Sequence, residues 1–242
     1  MRQLALLLTP LALLACNQRG PLKTDSASGA VSTETSPAAP ASGVRAADST
    51  SGSPAADVAA VGTYGEDLYD QAKASDWANA NALLDSLHRA AKALPTNDPR
   101  LSAEVRRLTP VIDSLRQAVS QKQRTAAMKA ANRVTFLSAK MTDAFQPVTP
   151  VQVLLLDYYG RELEIWSAEQ NVAKLAQVSV DIQDTWKSLR PSVEKHQGAV
   201  AVQHTDSLVS RIRAAKAPSQ YAKLATPFLD EVDELEKVFT KQ

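Results

Sequence analysis

Between residues 77 and 239, apolar side chains recur at steps of three and four. This periodicity constrains the fold more than any other feature of the chain. The clearest stripe is Trp77, Ala80, Leu84, Leu87, Ala91 and Leu94. With 3.6 residues per turn, that spacing lines one side of an α-helix. Asp76 stands before it as an N-cap, and Pro95 and Pro99 bracket the loop behind it. Further stripes run from Leu101 to Val119, Met128 to Phe145, Val172 to Leu189 and Tyr221 to Phe239. Aromatic residues make up only 5% of the chain, whereas strands draw on aromatic and β-branched residues. The expectation is an all-α fold, a helical bundle of about six to eight helices.

Prolines set the expected breaks. Asp98 and Pro99 predict a capped helix start. Pro110 lies inside the next stripe, so either one kinked helix or a new helix capped by Thr109 fits there. Two prolines, Pro147 and Pro150, predict a loop, with Thr149 and Pro150 opening the following helix. That helix is apolar around most of its circumference from Val151 to Tyr159, which predicts a central position. Pro191 is expected to close the next stripe, and Pro227 to kink the last.

The two halves of this region read alike. Tyr64-Gly65-Glu66-Asp67-Leu68 matches Tyr159-Gly160-Arg161-Glu162-Leu163 at an offset of 95 residues. The N-caps Asp76 and Asn171 fall at the same offset, and Asp113-Ser114-Leu115 matches Asp206-Ser207-Leu208 at 93. The expected organisation is a helical domain over residues 61–242, with repeat halves at 61–146 and 149–242. If the repeat is genuine, the bundle is two copies of a three- or four-helix unit.

The amino terminus is of another kind. Arg2 precedes an apolar run from Leu4 to Leu14, too short for the roughly 20 residues of a membrane-spanning helix. Leu13-Leu14-Ala15-Cys16 follows, and Cys16 is the only cysteine. This stretch resembles the lipobox of bacterial lipoproteins. The resemblance covers residues 1–16 and implies a signal peptide at 1–15, cleavage before Cys16, and lipidation of the Cys16 thiol. By the same resemblance, Asn17 after the cysteine points to the periplasmic face of the outer membrane rather than to the inner membrane. Residues 17–60 are built mostly of Ala, Ser, Thr, Pro and Gly, without aromatics. Such a segment buries too little apolar surface to offset the cost of ordering, so residues 16–60 read as a lipidated cysteine followed by a disordered linker.

The folded part carries no Gly-x-Ser-x-Gly elbow, no His-Glu-x-x-His motif and no phosphate-cradling glycine loop. The net charge of +1 lacks the basic excess of a nucleic-acid binder. The reading is a non-enzymatic envelope lipoprotein with a binding or scaffolding domain, held to a bilayer through acylated Cys16. Its partner would be an envelope protein or a cell-wall component, not nucleic acid, and no catalytic residue, metal site or cofactor is assigned. An alternative is a periplasmic small-ligand or metal-binding domain serving a transporter. Candidate partner or ligand residues are Asn132, Arg133, Asp157, Tyr159, Arg161 and Glu162, the densest polar and aromatic groups in the stripes. Two bland readings stand beside them. Asp157 and Arg161, four apart, can pair along one helix, and Asn132 and Arg133 can serve a helix crossing. His88, His196 and His204 read as surface residues.

Overall fold

A computed structural model describes residues 53–240; the expected signal peptide, Cys16 and the expected linker up to residue 52 lie outside the described residues. The described chain is all-α. Its eight helices are α1 (Pro54–Ala74), α2 (Trp77–Ala93), α3 (Ser102–Ser120), α4 (Arg124–Thr142), α5 (Val151–Ala168), α6 (Val172–Lys195), α7 (Ala199–Ala214) and α8 (Pro218–Thr240), with a 3-10 turn at Asp143–Phe145.

Helix α1 starts earlier than the composition boundary near residue 60. Ser53 caps it by accepting the Ala56 N–H at 3.2 Å. Pro54 occupies the first turn, where a missing N–H is harmless, and Val58 and Val61 are already buried. Helix α3 starts later than Asp98. The Asp98 carboxylate instead accepts the Arg100 N–H at 2.9 Å and closes a turn ahead of the helix. Helix α5 has Pro150 rather than Thr149 at its N-cap, with no side-chain cap. Helix α3 runs unbroken through Pro110, α6 through Pro191 and α8 through Pro227. At Pro191 the expected stop fails because Val193, buried one turn after Leu189, extends the apolar stripe. Burying such a side chain contributes about 1.5–3 kcal/mol, comparable to the roughly 3 kcal/mol cost of an interior proline.

The helices form two four-membered rings. In the first, α1 packs on α2, α2 on α3, α3 on α4 and α4 on α1; α5 to α8 repeat the same circuit. Each ring has its own core. Leu68, Leu87, Leu108, Leu115 and Leu137 belong to one, and Leu156, Ile182, Leu189, Ile212 and Phe228 to the other. Helix α5 serves both, sending Ile165 into the first core and Leu163 into the second.

The rings match in detail. Ser75 and Gln170, 95 residues apart, both end their helices at positive φ, 60° and 57°. The same two bonds close both turns: Ser75 N–H to Ala72 O and Asp76 N–H to Gln71 O in one, Gln170 N–H to Ser167 O and Asn171 N–H to Trp166 O in the other. A Cβ on Gly65 would lie 2.9 Å from Thr135 Cγ2 and 3.1 Å from Val134 Cγ1. One on Gly160 would lie 2.5 Å from Leu229 Cδ2 and 3.3 Å from Phe228 Cδ1. Glycine thus permits the α1–α4 approach and the α5–α8 approach at the same register, which sets α8 against α4 at an offset of 94.

Candidate functional site

Helix α5 presents polar groups on two sides, because Asp157 and Arg161 lie one turn apart along one face while Tyr158, Glu162 and Trp166 follow another. The six residues singled out in the sequence divide between these faces and do not converge on one cavity.

The first face meets α1 and α8. Arg161 Nη1 lies 2.9 Å from Asp157 Oδ2, with both side chains largely buried. That nitrogen has no aligned hydrogen bond, so the contact is chiefly electrostatic. The guanidinium also sits 5.2 Å from the centre of the Tyr69 ring. Tyr69 donates its hydroxyl to Glu164 Oε2 at 2.8 Å, and Lys73 Nζ donates to Glu164 Oε1 at 2.7 Å. Glu66 of α1 and Glu236 of α8 complete the group. Burial pushes the Glu66 carboxyl up to about 7; Asp157, Glu236 and Asp67 reinforce the rise while Arg161 opposes it. Burial also raises Asp157 and Glu236 above the usual carboxylate range.

Beside these acids lies a cavity of about 250 Å³, lined in part by Thr63, Glu66, Thr135, Ser138, Thr142 and Glu236. Three of its hydroxyls are committed as donors to main-chain carbonyls: Thr135 to Asn132 O at 2.7 Å, Ser138 to Val58 O at 2.7 Å and Thr142 to Ser138 O at 3.0 Å. What they retain is lone pairs. The chamber therefore offers acceptors and a carboxyl that exchanges a proton near neutral pH, a setting suited to donor-rich or cationic groups.

The second face meets α4 and α6. Asn132 is fully buried, and its amide donates to Tyr158 O at 3.2 Å and to Glu162 Oε1 at 2.9 Å. Glu162 Oε2 accepts the Trp166 indole N–H. Asn132 therefore belongs to the α4–α5 crossing, where it links the two rings. Outside it runs a ridge of half-buried rings. Arg133 lies over Phe136 at 4.5 Å, Phe136 meets Tyr158 at 4.8 Å, and Tyr158 meets Tyr159 at 5.1 Å. Lys129 and Lys174 lie 4.3 Å and 5.6 Å from the Trp166 ring. Tyr159, Glu162 and Trp166 line a small hollow of about 130 Å³ with Lys174 and Asp181.

Reading by stripes missed Glu66, Tyr69, Glu164 and Glu236. The available signal was the repeat itself. Tyr69 and Glu164 are equivalent at the 95-residue offset, as are Glu66 and Arg161, and these counterparts face each other across the seam. Among the described residues, no group of three or more His, Cys, Asp or Glu side chains is arranged to hold a metal ion. No helix among them is long and apolar enough to cross a membrane. No known family model, curated protein or solved structure matches the chain.

Proposed function

We propose that this chain is an envelope lipoprotein, fastened to a bilayer through acylated Cys16, whose helical body binds or scaffolds a partner and catalyses no reaction. The resemblance of Leu13-Leu14-Ala15-Cys16 to a lipobox supports the anchor, and the polar tether supports presentation of the body away from the surface. Asn17 favours the periplasmic face of the outer membrane. The same reading takes the body as a duplicated four-helix unit.

One observation carries the binding role: the ridge of Arg133, Phe136, Tyr158, Tyr159 and Trp166 on α4 and α5. Half-buried tyrosine, tryptophan and arginine side chains are the ones that dominate binding energy at protein interfaces. The Asn132–Glu162–Trp166 bonds hold the ridge from behind, so little conformational freedom is lost on docking. The partner is an envelope protein or a cell-wall component. A second reading, small-ligand binding in service of a transporter, is favoured by the acceptor-lined chamber at Glu66 and Glu236.

Labelled fatty acid supplied to expressing cells is expected to enter the wild-type chain and not the Cys16→Ser variant, which should leave the membrane fraction. Crosslinking from the anchored chain should capture a partner that Tyr158→Ala with Arg133→Glu loses. Equal membrane retention of the Cys16→Ser chain would refute the anchor, and partner capture indifferent to the ridge variant would refute the interface.

A further inference from the structure

A larger cavity lies elsewhere. It holds about 600 Å³ between the α6–α7 turn and α8, and is lined in part by His196, Gly198, Ala199, His204, Glu231 and Val238. That volume falls within the usual range for small-molecule sites.

Glu231 is the unusual member. It is only 8% exposed. Its Oε1 has no hydrogen-bond partner, and its Oε2 is 3.4 Å from His204 Nδ1, long for a hydrogen bond. Thr205, also buried, gives its hydroxyl hydrogen to Ala201 O at 2.7 Å. The first ring shows what packing alone would place here. With α8 on α4 at an offset of 94 and α7 on α3 at 93, Glu231 and Thr205 take the places of Leu137 and Ile112, both buried and apolar. A carboxylate and a hydroxyl thus replace two core aliphatics beside the cavity. A desolvated carboxylate with one oxygen left without a donor is costly to keep in a fold, and the aliphatic pair of the first ring would pack here without that cost.

The other end of the cavity is the start of α7. Gly198 is its N-cap and supplies no side chain, and the first intrahelical bond is Val202 N–H to Gly198 O at 2.9 Å. The amides of Ala199, Val200 and Ala201 therefore lack helical acceptors and, at the positive end of the helix dipole, suit an anion. These three residues line the same cavity as Glu231. His204, beside Glu231, lies five residues along α7 from Ala199, or about 7.5 Å at 1.5 Å per residue. Two residues of extended chain span about 7 Å.

We propose that this cavity binds a short peptide of about two residues by both its termini, the ammonium on Glu231 and the carboxylate on the first-turn amides of α7. The walls between, Ala199, Val200, Ala201 and Val238, suit small apolar side chains. The inference stands independently of the membrane anchor.

Isothermal titration of the purified full chain in detergent with L-alanyl-L-alanine tests it. One saturable site per chain is expected. Blocking the dipeptide by N-acetylation or by C-amidation should each weaken binding by about tenfold or more, the loss typical of a charged hydrogen-bonded contact. Glu231→Leu, which copies the first ring, should keep or raise the melting temperature and lose binding. Ala199→Asp, which sets a carboxylate at the anion end, should weaken binding as amidation does. Absence of saturable binding at millimolar dipeptide overturns the proposal. So does equal affinity for the blocked dipeptides, which the parent chain alone decides should a variant fail to fold.

Discussion

The fold opposes ionisation of Glu66. Its folded-state pKa of about 7 lies above its ordinary value of 4.5, so the folded chain holds the proton more tightly than the unfolded chain does. The stability this confers is complete below about pH 4.5 and is lost as pH rises through about 7. The groups facing it are Asp67 on α1, Asp157 and Arg161 on α5 and Glu236 on α8; of these only Arg161 favours the charged form. Glu66→Gln is therefore expected to stabilise the chain at about pH 8 by roughly 2–3 kcal/mol and to have little effect near pH 4.5. Urea unfolding at the two pH values measures this, and equal stability of the two chains at pH 8 would contradict it. Residue-scale legibility followed sequence distance. The Asp157–Arg161 pair could be read from the sequence because its partners are four apart on one helix. Glu66 could be placed only through the 95-residue offset that pairs it with Arg161, and Glu236 not at all, since no spacing rule brings α8 to the α1 side of α5.

Among the elements, α5 depends most on a missing side chain. Gly160 lets it approach α8 so closely that an alanine Cβ would come within 2.9 Å of two Leu229 carbons. Gly160→Ala is expected to cost about 1–3 kcal/mol, the usual penalty for overpacking. Gly65→Ala, at the equivalent place on α1, should act in the same direction. Thermal melts of both variants check this, and an unchanged midpoint for either would mean the neighbouring helix moves freely. Most elements were legible because a stripe of six apolar residues specifies a helix almost irrespective of context. Their ends were less so. Pro191 reads as a stop, yet Val193 carries α6 onward. Asp98 reads as a helix cap, yet it closes a turn one step earlier. In both places a tertiary contact or a local side-chain bond decides between two allowed local structures.

At the scale of the molecule, two cores are joined by a polar seam. Tyr69 and Lys73 reach Glu164, Lys129 reaches Glu169, and Asn132 reaches Glu162. Only the segment around Val148 links the rings covalently between α4 and α5, and that residue is 71% exposed. A protease site placed there is expected to yield two fragments that still elute together under native conditions. Adding Glu164→Ala should weaken their association. Immediate separation of the cut parent chain would show that the covalent link, not the seam, holds the rings together.

The contact of Tyr69 with Glu164 has a further consequence. Where a patch meets its own counterpart, the local arrangement is that found on the axis of a symmetric dimer. In such a dimer of identical chains, a glutamate at the Glu66 position would confront a glutamate, and an arginine an arginine. Two rings within one polypeptide are free of that constraint: Glu66 faces Arg161, and opposites meet where symmetry would impose repulsion. The same freedom reaches Leu137 and Glu231. One ring can remain a packed support while the other gives up core volume for a cavity, a division of labour closed to a dimer whose every substitution is made twice.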